Sequence, residues 1–237
     1  MHTLSVVIPT YNEESVLPVL LDAISRQTLQ AREVMVADAN STDRTREIAR
    51  GFGALIVEGG LPAVGRNRGA KRASGESIVF LDADAVLPDE GFFARSLTEM
   101  DTRDLVIACP DITATKGIRA RMFFWIYTRF SRLTIRRNPH AIGTCIFVRR
   151  DIHEAIGGWD EGIFYAEDND YGRRAAKLGT FGYLNEVVKT PPRRFERDGY
   201  LRSALMNITA ELHIRFFGPI RSDIFKYRFG HSPQKKK

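Results

Sequence analysis

Short apolar runs alternate with amphipathic helical segments along the first half of the chain, and this alternation limits the possible folds most strongly. The runs are rich in β-branched residues, as buried strands are, and they cover residues 4–8, 33–37, 54–57, 77–81 and 104–108. The helical patterns between them cover residues 13–26, 42–51 and 63–74. Strand then helix, repeated, predicts an α/β fold with a mostly parallel central sheet and helices on both faces.

Length and composition set the class of protein. The chain has 237 residues, of which 43% are apolar and 27% are charged, as expected for a globular α/β domain with a substantial core. No apolar run approaches the roughly 18 residues that a membrane span needs, and the N-terminus has no basic region or cleavage site. We therefore expect a cytoplasmic protein. Cys109 and Cys145 lie in apolar surroundings, which favours buried free thiols over a disulfide or a zinc site.

Polar side chains follow three of the predicted strands, where a sheet of this type binds its ligands. After the fourth strand come Asp82 and Asp84, which would share one face of an extended backbone and repel each other. Oxygen ligands of this kind favour a hard cation, Mg²⁺ or Mn²⁺. Two other interpretations remain open, a strand that simply ends in a polar turn, and a phosphatase of the haloacid dehalogenase type with Asp82 as nucleophile.

Four segments together resemble the family 2 glycosyltransferases of the GT-A fold. They are "VVIPTYNEE", "VADANSTDRT", "GRNRGAKRASGESIVFLDADAVLPD" and "GGWDEGIFYAEDNDYGRR", in this order, and the similarity runs from residue 4 to about residue 178. The resemblance implies a GT-A sheet with a nucleotide-binding half and an acceptor-binding half. It also implies inverting transfer of a sugar from a nucleotide diphosphate donor, with a divalent metal ion on the diphosphate. The first aspartate of the pair, Asp82, would then contact the nucleotide as well as the metal.

The first two strand ends are expected to bind the nucleoside. Pro9 and Tyr11 can lie against a base, Glu13 can accept a hydrogen bond from it, and Asp38 can supply a second acceptor. Ala39 stands where a second acidic residue is frequent in the family, so the contact with the base rests more heavily on Asp38.

A basic, glycine-flanked segment precedes the aspartate pair. Arg66 and Asn67 in this segment are expected to meet the diphosphate or the ribose, whereas its other basic residues are more simply explained as a solvated helix face. From the C-terminal side, Arg193 and Arg194 can offset charge on the leaving diphosphate or contact the acceptor.

The second acidic cluster is expected to supply the general base. Glu167 and Asp168 match the Glu-Asp pair that contains this base in family 2, and we assign the role to Asp168, with Glu167 and Asp170 as alternatives. Trp159 and Asp170 are further candidates for contacts with the diphosphate or the acceptor. The simpler alternative is that these carboxylates only stabilise a helix N-terminus.

These assignments divide the chain into three parts. Residues 1–110 are expected to form the nucleotide-sugar-binding half, and residues 111–188 the acceptor-binding and catalytic-base half of the same domain. Residues 189–237 are expected to form a basic amphipathic C-terminal extension. A catalytically silent nucleotide-sugar-binding or membrane-binding module is a further alternative, although both carboxylate clusters are intact.

The middle of the chain has no acidic residue between Asp111 and Asp151 but nine basic ones, which indicates an anionic partner. Within residues 116–137, an apolar stripe and an arginine stripe share one amphipathic helix; the apolar members are Phe123, Ile126, Phe130 and Leu133, and the arginines are Arg129, Arg132 and Arg136. We expect peripheral attachment to a membrane surface, a lipid-linked acceptor and no nucleic-acid partner. The alternative is that this stripe packs on the protein's own core. The sequence does not specify the sugar, the nucleotide or the acceptor.

Overall fold

The structure is a computed structural model that describes residues 3–135 and 139–222; for Arg194 it describes the backbone alone. The described residues form a seven-stranded sheet with the order β3-β2-β1-β4-β6-β5-β7. Its strands are β1 (Leu4–Thr10), β2 (Glu33–Asp38), β3 (Leu55–Glu58), β4 (Ser77–Leu81), β5 (Leu105–Ala114), β6 (Cys145–Arg149) and β7 (Thr180–Thr190). The helices are α1 (Leu17–Ser25), α2 (Thr45–Gly51), α3 (Pro62–Ala70), α4 (Phe92–Thr102), α5 (Ile118–Thr134), α6 (Arg150–Ala155), α7 (Glu167–Ala175), α8 (Arg193–Asp198) and α9 (Tyr200–Phe217).

The mostly parallel sheet predicted from the alternating pattern is confirmed. β1 pairs in parallel with both β2 and β4, so the polar segments that follow these three strands meet at one edge of the sheet. α1 begins at Leu17 rather than at residue 13, because the chain first makes a turn in which the N–H groups of Val16 and Leu17 bond to the carbonyl of Glu13. That turn keeps Glu13 at the sheet edge.

The helices cover both faces of the sheet, as expected for this class. Successive residues of β1 alternate between two hydrophobic layers, with Val6 and Ile8 in one and Val7 in the other. The first layer packs against α1 and α4, and the second packs against α5 and α7. Val6, Val7 and Ile8 are all fully buried, so both faces of β1 are covered by helices.

The second half of the sheet departs from the simple alternation. β6 runs antiparallel between β4 and β5, and β7 pairs in parallel with β5 over almost its whole length. The ladder between β5 and β7 shifts register between Leu105 and Ile107 and again between Cys109 and Asp111. The second shift spans Pro110, a residue that cannot donate a ladder hydrogen bond. The expected division at residues 110/111 falls inside β5, so both halves of the chain contribute to one sheet.

In the described part of the chain, no helix has both the length and the apolar character needed to cross a bilayer. The amphipathic segment predicted at 116–137 is a helix, α5, and Arg136 and Arg137 lie outside the described residues. Both cysteines are buried thiols, in agreement with the expectation from their apolar surroundings.

Candidate active site

A cavity of about 460 Å³ opens at the edge of the sheet where β1 and β4 end. This volume is typical of a small-ligand site. The residues of its wall nearest to the strand ends are Pro9, Glu13, Pro62, Arg66, Asp82, Ala83 and Asp84. The opposite part of the lining comes from the second half of the chain, including Tyr127, His140, Gly143, Glu167, Asp168, Asn169, Arg193, Asn207 and Glu211.

Asp82 and Asp84 both line this cavity, although for a different reason from the one predicted. β4 ends at Leu81, and the pair lies in the following turn, where the N–H of Ala85 bonds to the carbonyl of Asp82. Turn geometry, and not the alternation of an extended strand, therefore brings the two side chains together, and the buried Ala83 and Ala85 anchor the turn. In a haloacid dehalogenase the corresponding turn normally follows the first strand. Here it follows the fourth strand, which argues against the phosphatase interpretation.

Arg66 joins the two carboxylate clusters. Its side chain is only 4% exposed, and its guanidinium bonds to Asp82 Oδ1 at 2.9 Å and to Glu167 Oε1 at 3.0 Å. The ring of Trp159 lies 4.5 Å below the guanidinium carbon, an arrangement that stabilises a cation. Arg66 thus holds the Asp-x-Asp turn and the start of α7 in one fixed geometry.

The charges around Asp82 oppose one another. The pKa of Asp82 is raised to about 6, because loss of water around the carboxyl and the charges of Asp84 and Glu167 raise it more than Arg66 lowers it. A cation bound here would lower the pKa of Asp82, since positive charge stabilises the ionised carboxylate.

Glu167 and Asp168 open α7 and point to the same cavity with different partners. Glu167 is held by Arg66, whereas the described partners of Asp168 are backbone N–H groups, with Gly143 N at 3.0 Å from Oδ2 and Asn169 N at 2.9 Å from Oδ1. Removal from water raises the pKa of the Asp168 carboxyl well above its usual range; Glu167 raises it further, and Arg66 lowers it. A carboxylate with a raised pKa is the stronger proton acceptor.

Two backbone features place Asp168, and neither was recognised from the sequence. Ala166, just before the pair, has a φ of 60°, a left-handed conformation that costs a residue with a Cβ roughly 1–2 kcal/mol. A Cβ on Gly143 would lie 3.1 Å from Asp168 Oδ2 and 3.5 Å from Arg66 Nη2, so a side chain there would crowd both groups. The "IGTC" segment before β6 contains this glycine, and a lone glycine before a strand is too common to indicate a site.

The loops after β1 and β2 are joined to each other. The N–H of Asn12 bonds to Ser41 Oγ at 2.9 Å, and the N–H of Thr42 bonds to Asn12 Oδ1 at 2.8 Å. Thr45 Oγ1, at the start of α2, accepts from the N–H of Glu13 at 2.8 Å. These contacts form a rigid platform beside the cavity.

The residues predicted to bind the nucleoside differ in their position relative to the cavity. Pro9 and Glu13 line the cavity, whereas Asp38 and the half-buried Tyr11 lie beside it. Asp38 is 3% exposed; Oδ2 accepts from Ser41 N at 2.9 Å, and Oδ1 is buried without a hydrogen-bond partner among the described residues. A buried acceptor of this kind is expected where a ligand or water completes the structure.

Three further predicted contact residues, in addition to Tyr11 and Asp38, lie outside the cavity lining. Trp159 is 2% exposed and stacks on Tyr171 at 4.1 Å, and the Asn67 side chain bonds to the Trp159 backbone at both its N–H and its carbonyl. Asp170 is paired with Arg174 at 2.7 Å. These contacts make the three residues structural supports of Arg66 and α7, and their role in ligand binding stays a prediction. Gly69 also has a structural role, because its lack of a side chain lets α3 pack closely on Val7 of β1.

The C-terminal side contributes more to the cavity than the sequence indicated. Arg193 lines the cavity from the first position of α8, while the side chain of Arg194 lies outside the described part of the structure. The residues that sequence reasoning missed are Tyr127, His140, Asn169, Asn207 and Glu211. They come from α5, α7, α9 and the segment before β6, so no local motif connects them.

Asp82 and Asp84 fit a metal ion that arrives with its ligand. Across residues 3–135 and 139–222, no three His, Cys, Asp or Glu side chains converge as a metal site of their own. Mg²⁺ and Mn²⁺ prefer oxygen donors, and Mg²⁺ is commonly held by one or two carboxylates together with substrate phosphates. Two carboxylates at the mouth of a cavity correspond to that arrangement.

Comparisons with known proteins agree with this geometry. Residues 5–157 match the family model of Glycosyl transferase family 2. Glycosyltransferase AglE of Haloferax volcanii is 29% identical over 206 residues, which cover 80% of this chain and 67% of AglE. The PGL/p-HBAD biosynthesis glycosyltransferase of Mycobacterium bovis is 33% identical over 184 residues, which cover 72% of this chain and 68% of that relative.

Among solved structures, glucosyl-3-phosphoglycerate synthase from Mycobacterium tuberculosis, in complex with Mn²⁺, UDP and phosphoglyceric acid, superimposes with a TM-score of 0.67. It is 20% identical, and the superposition covers 92% of this chain and 80% of that one. At this identity the likeness shows the GT-A fold alone. The match over residues 5–157 includes Asp82, Asp84 and Arg66, and it extends over more than half of the chain. The chain therefore belongs to glycosyl transferase family 2 and is a glycosyltransferase of the GT-A fold that uses nucleotide-sugar donors.

Proposed function

We propose that this protein is an inverting, metal-dependent glycosyltransferase in which Asp168 is the general base and the acceptor is lipid-linked. The observation that carries the mechanism is the meeting of Asp82, Asp84 and Asp168 in one cavity, with Arg66 holding the two carboxylate clusters at fixed distance. This arrangement brings a diphosphate site and a proton acceptor close enough to act on one substrate pair.

The donor lies on the strand-end side of the cavity in this proposal. The platform formed by the first two loops supports the nucleoside, with Pro9 and Glu13 at the cavity wall and Asp38 behind it. Asp82 and Asp84 would hold Mg²⁺ or Mn²⁺, which when bound stabilises negative charge on the diphosphate. The M. tuberculosis neighbour contains Mn²⁺ and UDP, which supports the proposal by analogy of fold.

Asp168 takes the proton from the acceptor hydroxyl. The hydroxyl oxygen then forms a bond to the anomeric carbon, the bond from that carbon to the diphosphate oxygen breaks, and the nucleoside diphosphate leaves with the electron pair. Asp168 suits the role better than Glu167, because Glu167 is neutralised by Arg66 and Asp168 has neutral partners. A positioned carboxylate of this kind contributes about 10²–10⁴-fold in rate.

Donor binding and stereochemistry test this proposal. Thermal unfolding is measured with UDP- and GDP-sugars, each with and without Mn²⁺ or Mg²⁺, and the sugar released by slow hydrolysis is followed by proton NMR at its anomeric position. We expect one nucleotide class to raise the unfolding midpoint only together with the metal, and the first product to have the inverted configuration. Retention of configuration, or stabilisation that EDTA does not reverse, would contradict the mechanism.

The lipid-linked acceptor is inferred from the surface beside the cavity. Among the described residues, nineteen large hydrophobic side chains are exposed, and twelve of them lie on α5 and α9. We call these twelve the apolar face; they are Ile118, Met122, Trp125, Ile126, Phe130, Leu133, Leu201, Leu205, Ile208, Leu212, Phe216 and Phe217. Concentration of exposed apolar residues on two helices that also line the cavity favours a functional surface over scattered exposure.

The charge of this surface indicates which kind of partner it would bind. α5 has no acidic residue, and its exposed Arg119, Arg121 and Arg129 alternate with the apolar face. Arg132, by contrast, turns inward to Asp111, and Phe123 packs against Phe195 at 5.0 Å. Basic residues combined with shallow apolar side chains match an anionic membrane surface, where each basic residue contributes about 1 kcal/mol. The protein would then meet its acceptor at the bilayer.

Vesicle sedimentation tests the membrane contact. We expect binding to vesicles of phosphatidylcholine with phosphatidylglycerol, weaker binding in high salt and little binding to phosphatidylcholine alone. Phe130→Glu with Phe216→Glu should abolish the binding, whereas Val19→Glu, at an equally exposed apolar position on α1, should retain it. Negligible binding to both kinds of vesicle would exclude the membrane contact without affecting the assignment of Asp168.

A further inference from the structure

A polar cluster under α9 lines the cavity next to Asp168. We call it the α9 cluster, and its members are His140, Tyr165, Asn169, Asn207 and Glu211. Glu211 Oε1 accepts from Asn169 Nδ2 at 2.9 Å and lies 3.3 Å from His140 Nε2. Asn207 Oδ1 accepts from the Tyr165 hydroxyl at 2.6 Å. Three separate segments of the chain therefore converge on one small polar patch.

The α9 cluster remains partly open. The Glu211 side chain is 27% exposed although it also pairs with Arg173 at 2.7 Å, so a carboxylate faces the cavity while its charge is balanced from behind. Asn169 is 7% exposed, and its Oδ1 is buried without a hydrogen-bond partner among the described residues. An unsatisfied buried amide oxygen destabilises the folded protein, and such a group is expected where a ligand or ordered water completes the site.

The surroundings of the α9 cluster identify the class of ligand. Amide and carboxylate oxygens accept hydrogen bonds from hydroxyl groups, and the adjacent cavity lining includes the aromatic rings of Phe123, Phe124 and Phe195. A sugar ring has both features that this lining matches, with hydroxyl groups at its edge and a less polar face for an aromatic ring. A phosphate is disfavoured here, because the Asp168 carboxylate lies on the same wall and like charges repel.

We propose that the α9 cluster binds the acceptor as a hydroxylated sugar ring, so that Asp168 deprotonates a sugar hydroxyl and not a phosphate. This inference rests on the proposed function and makes its acceptor more specific. The acceptor oxygen forms the new bond to the anomeric carbon of the donor, its proton passes to Asp168, and the nucleoside diphosphate leaves with the electrons of the broken bond. Glu211 and Asn207 orient the ring and take no part in the proton transfer.

A panel of simple acceptors distinguishes the two classes. Octyl β-glucoside, octyl β-galactoside and octyl α-mannoside, below their micelle concentrations, are compared with octyl phosphate and farnesyl phosphate, using the donor that stabilises the protein. We expect at least one octyl glycoside to increase nucleotide release above the rate of donor hydrolysis and to gain a sugar by mass spectrometry. Transfer to a phosphate, or no transfer to any glycoside, would overturn the inference. Absence of donor binding would instead refute the proposed function itself.

Two variants then locate the acceptor. Glu211→Gln should raise the KM for the octyl glycoside by about tenfold or more while the Kd for the donor nucleotide changes by less than about twofold. Asn207→Ala, which removes only the partner of Tyr165, should act in the same direction and guards against a folding defect in the first variant. Glu154→Gln, an exposed partner of Arg150 on α6, is the matched control and should leave both constants unchanged. An unchanged KM in both variants, or a parallel loss of donor affinity, would overturn the assignment.

Discussion

The two sides of the cavity are built in different ways. The proposed donor side consists of short segments that directly follow β1, β2 and β4, and hydrogen bonds fix the first two of these segments to each other. The acceptor side is assembled from α5, α7, α8, α9 and the segment before β6, and much of its outer surface is exposed and apolar. The donor side can therefore be preorganised by the sheet, whereas the acceptor side depends on packing between distant parts of the chain.

Arg66 lies at the boundary between the two sides. Its ion pairs with Asp82 and Glu167 connect a residue of the donor side to one of the acceptor side. A buried guanidinium with two carboxylate partners restricts both of them, so the protein structure sets the distance between the proposed metal ligands and the proposed base. The predictions that follow separate the roles of the two sides.

The largest effect is expected on the donor side. Asp84→Ala should lower kcat/KM on the order of 10³-fold or more, because a diphosphate without its cation is a poor leaving group. The midpoint of thermal unfolding should change little, since the substitution also removes the repulsion between two carboxylates. Asp22→Asn, an exposed carboxylate on α1, is the control. Full turnover of the parent protein in excess EDTA would contradict the role of the aspartate pair.

An acid-dependent loss of stability is expected where His153 of α6 contacts Tyr171 of α7, behind the acceptor side. His153 is 8% exposed; burial, with a smaller contribution from the charge of Arg174, lowers its pKa to about 4. The pKa of His153 in the folded protein is below the ordinary value of about 6.5. The contribution of His153 to the free energy of unfolding is therefore complete above pH 6.5 and is lost as the pH falls toward 4.

His153→Gln should therefore reduce the difference in unfolding free energy between pH 7 and pH 4.5 by about 2 kcal/mol, measured by urea denaturation. The amide stays neutral over this range and can still bond to the Tyr171 hydroxyl, which His153 Nδ1 contacts at 2.8 Å. His213→Gln on α9 should keep the pH dependence of the parent. An unchanged pH dependence in His153→Gln would show that other groups govern the acid response.

A smaller effect is expected where the two sides meet. In Gly143→Ala the new Cβ crowds Asp168 Oδ2 and Arg66 Nη2, so kcat should fall by about tenfold, with donor affinity nearly unchanged, because a small displacement of a base is costly. Gly51→Ala on α2, where a Cβ meets nothing within 4 Å, should be indistinguishable from the parent in kcat. Equal activity in both variants would mean that Asp168 tolerates displacement.

The smallest effect is expected from the backbone strain before α7. Ala166→Gly removes the left-handed strain at φ 60° but adds backbone entropy to the unfolded chain, so the unfolding free energy should rise by about 0.5–1 kcal/mol. Ala155→Gly, at an exposed position in α6, should lower it by a similar amount. Changes of the same sign in the two variants, measured by urea denaturation, would show that the conformation of Ala166 stores no strain.

The contrast between the two sides also explains what the sequence could predict. β1 to β4 and the aspartate pair were recognised because each functional segment follows its strand directly, and the strand patterns are local. α5 was expected from its amphipathic pattern, and its apolar residues at 126, 130 and 133 are exposed, which excludes the alternative that the whole stripe packs on the core.

Other parts of the site depend on contacts that are remote in sequence. Polar and aromatic residues near a motif suggest binding, so the sequence predicts ligand contacts for Trp159 and Asn67, but it does not indicate that these two residues bond to each other across about ninety residues. Glu211 carried no signal, since a single glutamate in a helix is ordinarily a solvated charge. Its position in the cavity follows only from the packing of α9 over α7.

The central claim, that Asp168 is the base and acts after the donor has bound on the other side, is tested most directly by Asp168→Asn. We predict that kcat falls by about 10²–10⁴-fold while the Kd for the donor nucleotide, measured by calorimetry with Mn²⁺, stays within about twofold. Asp170→Asn, two residues along α7 and paired with Arg174 outside the cavity lining, should keep kcat near that of the parent. An unchanged kcat in Asp168→Asn, or a loss of donor binding in that variant, would contradict the account.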